Sequence, residues 1–302
     1  MSLVRRLFYG ETGNTLIRGL VGPFKSGIPK SARFPVSGVI KTDIPGHRPL
    51  RLAVNPTCFI GKVLYWQGLQ GFEPGVHRVF RHFIKQSSTF LDIGANVGFY
   101  SAMAAIYNPK TTVHAFEPLP AAFTYLQENL RLNQAGKATA HKIALSDSSG
   151  ETSFFFALNP KFDFVENQLT STGSLDQDQA ARTAHLREIK VTLSTLDEFV
   201  SEQKLDQVDL IKMDTEATEH LVLDGARETI NRFRPIILCE VLPGKVESEI
   251  QARIEALNYV AYQILPHGVQ QAKTLSHANS SENDFVFCPK ERTELMKSLQ
   301  SK

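Results

Sequence analysis

The sequence predicts an α/β fold in which short apolar strands alternate with amphipathic helices around a mostly parallel sheet. The clearest unit is residues 89–107, where an apolar run of strand length leads through a turn with Gly94 and Gly98 into a helix. Strand and helix patterns then alternate as far as residue 265. The last two strands are joined by a polar stretch without a helical pattern, which predicts that they pair antiparallel.

Composition narrows the class of protein. The 302 residues are 42% hydrophobic, enough for a substantial core, and the net charge of +2 does not predict nucleic-acid binding. The three cysteines, Cys58, Cys239 and Cys288, form no C-x-x-C pair and predict neither a disulfide framework nor a zinc cluster. With no apolar run near the roughly 20 residues of a membrane span and no secretory-signal pattern, we expect a cytoplasmic protein.

Residues 1–58 form a basic extension ahead of the alternating region. Within residues 1–51, nine Lys and Arg face only Glu11 and Asp43, and apolar residues such as Leu16 and Leu20 recur at helical spacing. A basic amphipathic segment can lie on an anionic membrane surface. The alternative is an arm that packs on its own domain or on a second subunit of a homo-oligomer, and the sequence leaves both open.

The predicted sheet has seven strands. Five are parallel and two close the sheet as an antiparallel hairpin: residues 89–93, 111–116, 138–143, 208–213 and 235–241, then 259–265 and 284–288. A helix is predicted over residues 217–230, directly after the fourth strand. Residues 158–188, between the third and fourth strands, are polar and irregular, and so long an insert is typical of a functional or mobile segment.

Acidic residues follow every parallel strand of this sheet. In an open parallel sheet, ligands bind beyond the carboxyl ends of the strands. Each acid alone is explained by a helix start, where negative charge offsets the helix dipole, but the set predicts a ligand site. In strand order the acids are Asp92, Glu117, Asp147, Asp214 with Glu216, and Glu240.

The spacing of the glycines selects among ligands. A dinucleotide fingerprint has the spacing G-x-G-x-x-G, but Asn96 stands where the middle glycine would be. Asp92, at the end of the first strand, adds a negative charge that favours a cationic ligand over a phosphate. S-adenosylmethionine carries an ammonium, a sulfonium and no phosphate. A capping turn without a ligand explains the turn alone equally well.

The stretch where the fourth strand meets the next helix concentrates charge. Lys212, Asp214, Glu216 and Glu219 lie within eight residues, and buried charges are costly unless they are paired or serve a ligand. We predict a substrate pocket in which an acid takes a proton from a hydroxyl. An ion pair between Lys212 and one acid is the structural alternative. A divalent cation on Asp214, Glu216 and Glu240 is a further alternative, and we expect no metal.

Five motifs together resemble the FkbM family of S-adenosylmethionine-dependent methyltransferases over about residues 60–290. They are D-I-G-A-N-V-G-F-Y-S at 92–101, H-A-F-E-P at 114–118, A-L-S-D at 144–147, K-M-D-T-E at 212–216 and V-L-D-G-A at 222–226. The resemblance implies a class I methyltransferase (Rossmann-like) fold and O-methylation, often of sugar hydroxyls in glycans, glycolipids or glycosylated metabolites. The chain would then comprise a basic N-terminal extension (1–58), a methyltransferase domain (59–290) and a C-terminal tail (291–302).

The same resemblance implies roles for individual residues. At S-adenosylmethionine it implies contacts from Asp92, Gly94, Asn96 and Gly98 to the methionine end, from Glu117 to the ribose and from Asp147 near the adenine. We therefore expect Asp92, Glu117 and Asp147 to face one hollow. For a small-molecule or glycan acceptor, the candidate catalytic residues are Asp214, Glu216 and Lys212, and the candidate binding residues are Glu73, Glu219 and Glu240.

One position departs from the family pattern. The family usually has glycine after the second acid of the K-x-D-x-E motif, where this chain has Ala217, and we expect Ala217 to narrow the pocket. The main hypothesis is an O-methyltransferase in which Asp214 or Glu216 orients or deprotonates the hydroxyl. A methyltransferase-like binding module without turnover is one alternative. A nicotinamide-dependent oxidoreductase is another, although its glycine fingerprint and sixth parallel strand are missing from the pattern.

Overall fold

The computed structural model describes residues 8–170, 173–175, 185–275 and 283–300. The strands are β1 (Gly38–Thr42), β2 (Leu50–Val54), β3 (Thr89–Ile93), β4 (Thr112–Phe116), β5 (Ala138–His141), β6 (Ala144–Leu145), β7 (Gly150–Ala157), β8 (Leu186–Ser194), β9 (Leu210–Met213), β10 (Ile236–Glu240), β11 (Tyr259–Leu265), β12 (Gly268–Gln271) and β13 (Asp284–Pro289). The α-helices are Glu11–Val21, Phe59–Gln67, Pro74–Ile84, Phe99–Tyr107, Pro120–Leu132, Leu196–Glu202, Glu219–Asp224, Arg227–Phe233 and Glu247–Ala256. The 3-10 helices are Gly22–Gly27, Lys30–Ala32, Leu69–Gly71, Pro160–Phe162 and Lys290–Met296.

The central sheet confirms the predicted α/β class. Within the described residues it has the order β12-β11-β13-β10-β9-β3-β4-β5. β3 pairs in parallel with β4 and β9, and β10 extends the parallel part beyond β9. Phe90 of β3 belongs to one core cluster, whereas Leu91 and Ile93 belong to another, so both faces of the sheet are buried.

The closing strands β11 and β13 pair antiparallel with each other, as predicted. The sheet nevertheless has eight strands among the described residues rather than seven, because β12 adds an edge strand beside β11. Gly268 and Val269 of β12 are buried, but Gln270 and Gln271 are exposed. So short and half-polar an edge strand has no periodic pattern to identify it in the sequence.

The helix predicted over residues 217–230 is instead two short helices, Glu219–Asp224 and Arg227–Phe233. The break falls at Gly225, where an added Cβ would lie 2.0 Å from the backbone oxygen of Ser146. The chain therefore interrupts the helix at the point where its backbone packs directly on the loop after β6.

A smaller sheet lies beside the central one, in the order β6-β8-β7. Its strands β7 and β8 pair antiparallel over their length. The irregular segment predicted between them lies partly outside the described residues. Where it is described, it includes the short 3-10 helix Pro160–Phe162.

The N-terminal helix Glu11–Val21 turns its polar side inward. Asn14 and Arg18 are buried, whereas Leu16 and Leu20 are 66% and 77% exposed. The two leucines of the apolar stripe predicted from the sequence therefore face away from the core, whereas Val21 at the end of the helix packs against it. Among the described residues, no helix combines the length and the apolar character needed to cross a bilayer.

Candidate active site

A cavity of about 270 Å³ opens at the carboxyl ends of the parallel strands. This volume is close to the lower end of the roughly 300–1,000 Å³ usual for small-molecule sites. The predicted site residues that line it are Glu73, Gly94, Asn96, Glu117, Asp214, Glu216 and Glu240. The predicted residues that do not line it are Asp92, Gly98, Asp147, Lys212 and Glu219.

The turn after β3 forms one wall of the cavity. Gly94 has φ of +77°, and a Cβ added there would lie 1.9 Å from the backbone oxygen of Asp214. Glycine is therefore required, because the loops after β3 and β9 touch backbone to backbone. Gly98 also has a positive φ, +80°, but an added Cβ would meet Leu126 at 2.5 Å. Gly98 thus serves the packing of helix Pro120–Leu132 rather than the cavity wall.

Glu117 lines the cavity from the end of β4. Its Oε2 accepts a hydrogen bond from the backbone N–H of Asn96 at 2.9 Å, and its Oε1 accepts one from Leu119 at 2.8 Å. Burial raises the pKa of Glu117 to about 7, although these two N–H groups act in the opposite direction. The carboxyl group is held from both sides and keeps further acceptor capacity towards the cavity.

Asp92 and Asp147 do not share the hollow with Glu117, contrary to expectation. The Asp92 carboxylate is buried beside helix Phe99–Tyr107 and accepts a hydrogen bond from the Ser101 hydroxyl at 2.5 Å. Asp147 is exposed in the turn after β6, beside the hydroxyls of Ser146 and Ser148. Side-chain direction at a strand end depends on packing, which position in the sequence does not reveal.

A buried ionic network lies beside the part of the cavity that is formed by the loop after β9. Lys212 is 6% exposed, and its Nζ lies 2.9 Å from Oδ2 of Asp214. Burial alone would lower the pKa of Lys212, but the carboxylates of Asp214, Glu73 and Asp92 outweigh burial and raise it. Lys212 is therefore the buried counter-ion of this acidic region, as in the ion-pair alternative considered from the sequence.

Tyr100 joins this network, and sequence reasoning missed it. Its hydroxyl donates to Oε2 of Glu73 at 2.7 Å, and the Lys212 ammonium lies 4.8 Å from the centroid of its ring. Burial raises the pKa of Glu73, with Lys212 opposing and Asp214 adding to the rise. Glu73 adopts φ of +40° at the start of helix Pro74–Ile84. Nothing in the spacing of residues 73 and 100 signals that the two side chains meet.

Three carboxyl groups lie close together where β9 and β10 end at the cavity. Ligand oxygens of Asp214, Glu216 and Glu240 all lie within 4.8 Å of one another. Burial, followed by the charges of Asp214, Asp284 and Glu216, raises the pKa of Glu240 and favours its protonated form. Three oxygen donors suit a hard divalent cation, but the Lys212 ammonium already supplies a positive charge at Asp214.

The loop after β9 is conformationally strained. Glu216 and Ala217 have φ of +55° and +72°, a region that costs a residue with a Cβ roughly 1–2 kcal/mol. Ala217 is 2% exposed and does not line the cavity, so it does not narrow the pocket as expected. Its backbone conformation instead gives a physical reason for glycine at this position.

Two contacts hold the strained loop. The Ser174 hydroxyl donates to the backbone oxygen of Glu216 at 2.8 Å. The buried Glu219 accepts from the backbone N–H and hydroxyl of Thr215 at 2.7 and 2.9 Å, and burial raises the pKa of Glu219 to about 7. Glu219 therefore supports the loop instead of facing the cavity.

Sequence reasoning also missed the apolar part of the wall. It comes from separate elements and comprises Phe59, Ile60, Phe72, Phe154 and Leu175. Because Phe154 and Leu175 are about a hundred positions from Phe59 and Ile60 and all of them resemble ordinary core residues, only the tertiary structure brings them to one site.

The parallel sheet with its antiparallel closing strands, the glycine turn after β3 and the carboxyl group after β4 define a class I methyltransferase fold. Residues 92–264 match the methyltransferase FkbM domain. The chain therefore belongs to the FkbM family of methyltransferases. Because this match begins within β3, the domain boundaries expected at residues 58 and 290 stay predictions.

Several known proteins are similar to this chain. The 2-O-methyltransferase NoeI of Sinorhizobium fredii (strain NBRC 101917 / NGR234) is 31% identical over 50% of the chain. The 31-O-demethyl-FK506 methyltransferase FkbM of Streptomyces tacrolimicus is 26% identical over 48% of the chain. The match spans 62% of the length of each relative. A solved methyltransferase FkbM from Methylobacillus flagellatus KT has 17% identity and a TM-score of 0.44, covering 67% of this chain and 43% of that chain.

Proposed function

We propose that the protein transfers a methyl group from S-adenosylmethionine to a hydroxyl of a sugar, glycolipid or glycosylated metabolite. The observation that carries the proposal is one cavity in which the fixed carboxyl group of Glu117 faces the acids of the β9 and β10 ends. Family membership supports methyl transfer. The similarity to NoeI and FkbM, both O-methyltransferases, supports oxygen as the acceptor atom.

The β3–β4 side of the cavity is the proposed cofactor end. Gly94 lines the cavity where the turn after β3 meets the loop after β9, and Glu117 offers acceptor oxygens for two neighbouring ribose hydroxyls. Asp92 lies behind this turn and contributes a negative field for a cationic ligand. The bound cofactor supplies an electrophilic methyl group. Adenine recognition by Asp147 and direct contact from Gly98 are not part of the proposal, since neither residue lines the cavity.

The β9–β10 side is the proposed acceptor end. Asp214 or Glu216 would orient the acceptor hydroxyl towards the methyl group that S-adenosylmethionine supplies and would accept the proton of that hydroxyl. Lys212 holds Asp214 in place through their 2.9 Å contact. The protonated Glu240 is suited to donate a hydrogen bond to an acceptor oxygen. Because Lys212 already neutralises Asp214, we propose that turnover needs no metal and survives a chelator.

Calorimetric titration tests the cofactor. S-adenosylmethionine should bind and NAD should not, and tight binding of NAD alone would refute the proposal. Turnover is tested by incubating the protein with glycan and lipid extracts and isotopically labelled cofactor, followed by mass spectrometry for a labelled methyl ether. If cofactor binds but no extract is methylated, the alternative of a binding module without turnover is favoured.

A reducing compartment is also part of the proposal. The three cysteines are buried and free, which supports the cytoplasmic location expected from their spacing. Fractionation of cells that produce the protein, with detection of the native chain in each fraction, tests this location.

A further inference from the structure

The exposed apolar side chains of this protein are concentrated at one place. All six large hydrophobic residues that are exposed in the described part of the chain lie within residues 8–59. Three of them follow one another along the N-terminal helical segment: Leu16, Leu20 and Phe24, with exposures of 66%, 77% and 73%. Leu16 and Leu20 are one helical turn apart, and Phe24 lies one turn further, in the 3-10 helix Gly22–Gly27. We call these three residues the N-terminal apolar surface.

The helix is held in this orientation by its polar side. Asn14 donates to the backbone oxygens of Phe8 and Pro35, at 2.7 and 2.9 Å, and accepts from the N–H of Ser37 at 2.9 Å. Arg18 donates to the backbone oxygens of Ser37 and Val39 at 2.7 and 3.2 Å. Rolling the helix to bury its leucines would leave these buried polar groups without partners. The exposed apolar side is therefore a fixed feature of the fold.

Charge is distributed unevenly around this surface. The first 62 residues contain ten Lys and Arg against two Asp and Glu, whereas the other 240 contain 23 against 29. Lys30 and Lys62 are exposed in this basic region. Exposed leucine and phenylalanine side chains within a basic stretch of sequence are the combination that binds the interface of an anionic bilayer.

The N-terminal apolar surface is connected to the cavity mouth. Lys25, next to Phe24, donates to the backbone oxygen of Tyr65 at 3.1 Å. Tyr65 lies in helix Phe59–Gln67, whose first residue, Phe59, is 61% exposed and lines the cavity. Tyr9 contacts Phe162 of the insert with ring centroids 5.6 Å apart. The extension thus contacts the helix that contributes Phe59 to the cavity lining.

We propose that the N-terminal apolar surface docks the enzyme on an anionic lipid bilayer, with Leu16, Leu20 and Phe24 in the interface and the surrounding cations against lipid headgroups. A second copy of the chain is the competing occupant. Symmetric pairing through this surface would bring two strongly basic regions together, whereas an anionic bilayer is complementary to them. Docking would place the cavity mouth near membrane-associated acceptors. Membrane docking does not depend on methyl transfer, so an experiment can refute either proposal without refuting the other.

Vesicle flotation with the full chain tests the proposal. Wild-type protein should float with vesicles of equal parts phosphatidylcholine and phosphatidylglycerol, and not with phosphatidylcholine alone. The triple variant Leu16→Ser, Leu20→Ser, Phe24→Ser should lose at least about tenfold in partitioning, since each side chain contributes buried apolar area. Thermal unfolding and calorimetric titration with S-adenosylmethionine verify that this variant still folds.

A pair of charge variants tests the electrostatic part. Lys30→Glu with Lys62→Glu should weaken binding to anionic vesicles by about tenfold or more, and added salt should weaken wild-type binding. Lys110→Glu with Lys137→Glu makes the same charge change at exposed sites outside the basic region and should have a smaller effect.

Three results would overturn the proposal. They are absence of wild-type binding to anionic vesicles, equal binding by the triple variant, and a wild-type dimer in analytical ultracentrifugation that the triple variant converts to monomer. The last result would assign the surface to a second copy.

Discussion

The two ends of the cavity are built in different ways. At the proposed cofactor end, backbone N–H groups fix Glu117, and Gly94 is required by a close backbone contact. At the proposed acceptor end, the buried cation Lys212 balances the nearby acids, and Asp214 and Glu216 lie on a loop in which Glu216 and Ala217 are left-handed. One end is therefore held mainly by geometry, whereas the other is held by a balance of charge and strain that substitutions can shift.

The largest effect expected is from Lys212→Met. Removing the buried ammonium leaves Asp214, Glu73 and Asp92 without their counter-ion, and the free energy of unfolding should fall by about 3–5 kcal/mol. If the two ends are independent, turnover should be lost while affinity for S-adenosylmethionine is retained. Urea unfolding and calorimetry measure the two quantities, with Lys245→Met as an exposed control. A loss of affinity for S-adenosylmethionine as large as the loss of turnover would contradict the independence of the two ends.

Gly94→Ala should instead disturb both ends together. A methyl group at this position would meet the Asp214 backbone oxygen and force a left-handed alanine, so we expect a loss of about 3 kcal/mol in the free energy of unfolding. Gly136→Ala is the control, because nothing lies within 4 Å of its added Cβ. Urea unfolding measures the free energy of unfolding of both variants. Similar small decreases in the two would show that the close contact at Gly94 does not limit the side chain there.

Glu117→Gln should weaken the cofactor end alone. Loss of a charged acceptor should reduce affinity for S-adenosylmethionine by about tenfold to a hundredfold, because hydrogen bonds to charged groups contribute about 1.5–3 kcal/mol. Since Glu117 has a pKa of about 7, affinity of the wild type should fall as the pH drops below about 7, and the variant should lack this dependence. Calorimetry across this pH range is the measurement, and unchanged affinity would remove the ribose assignment.

The same carboxyl group predicts a pH dependence of stability. Its folded-state pKa is raised above the ordinary value, so the neutral form stabilises the fold and this contribution is lost as the pH rises from about 4.5 through about 7. The free energy of unfolding of the wild type should therefore fall more steeply over this range than that of Glu117→Gln. If the free energy of unfolding of the two proteins changes with pH in the same way, the pKa of Glu117 is not raised in the folded state.

Ala217→Gly should have the smallest effect. Relief of a left-handed backbone is opposed by the greater freedom of glycine in the unfolded chain and by the loss of a buried methyl group, so stability should change by less than about 1 kcal/mol. Turnover should be retained, because Ala217 does not line the cavity. A large gain in turnover, measured with labelled cofactor, would instead support the idea that Ala217 impairs this enzyme.

The sequence was informative wherever a local pattern determines structure. The apolar runs of β3, β9 and β10 and the spacing of Gly94 predicted the parallel sheet and the turn, because burial and backbone freedom depend on residue type. Side-chain direction and long-range packing were not predictable. The structure places the Asp92 carboxylate against Ser101 rather than in the cavity, brings Tyr100 into contact with Glu73, and buries the polar side of the N-terminal helix.

The contact between Gly94 and the backbone of Asp214 has a consequence for redesign. Since no other residue fits at position 94 while that carbonyl stays in place, the start of the loop after β9 is fixed by the turn after β3. Attempts to change the proposed acceptor specificity should therefore leave the backbone of Asp214 where it is. Substitutions intended to change the shape of the cavity are better placed among its aromatic and aliphatic lining residues, such as Phe59 and Phe154.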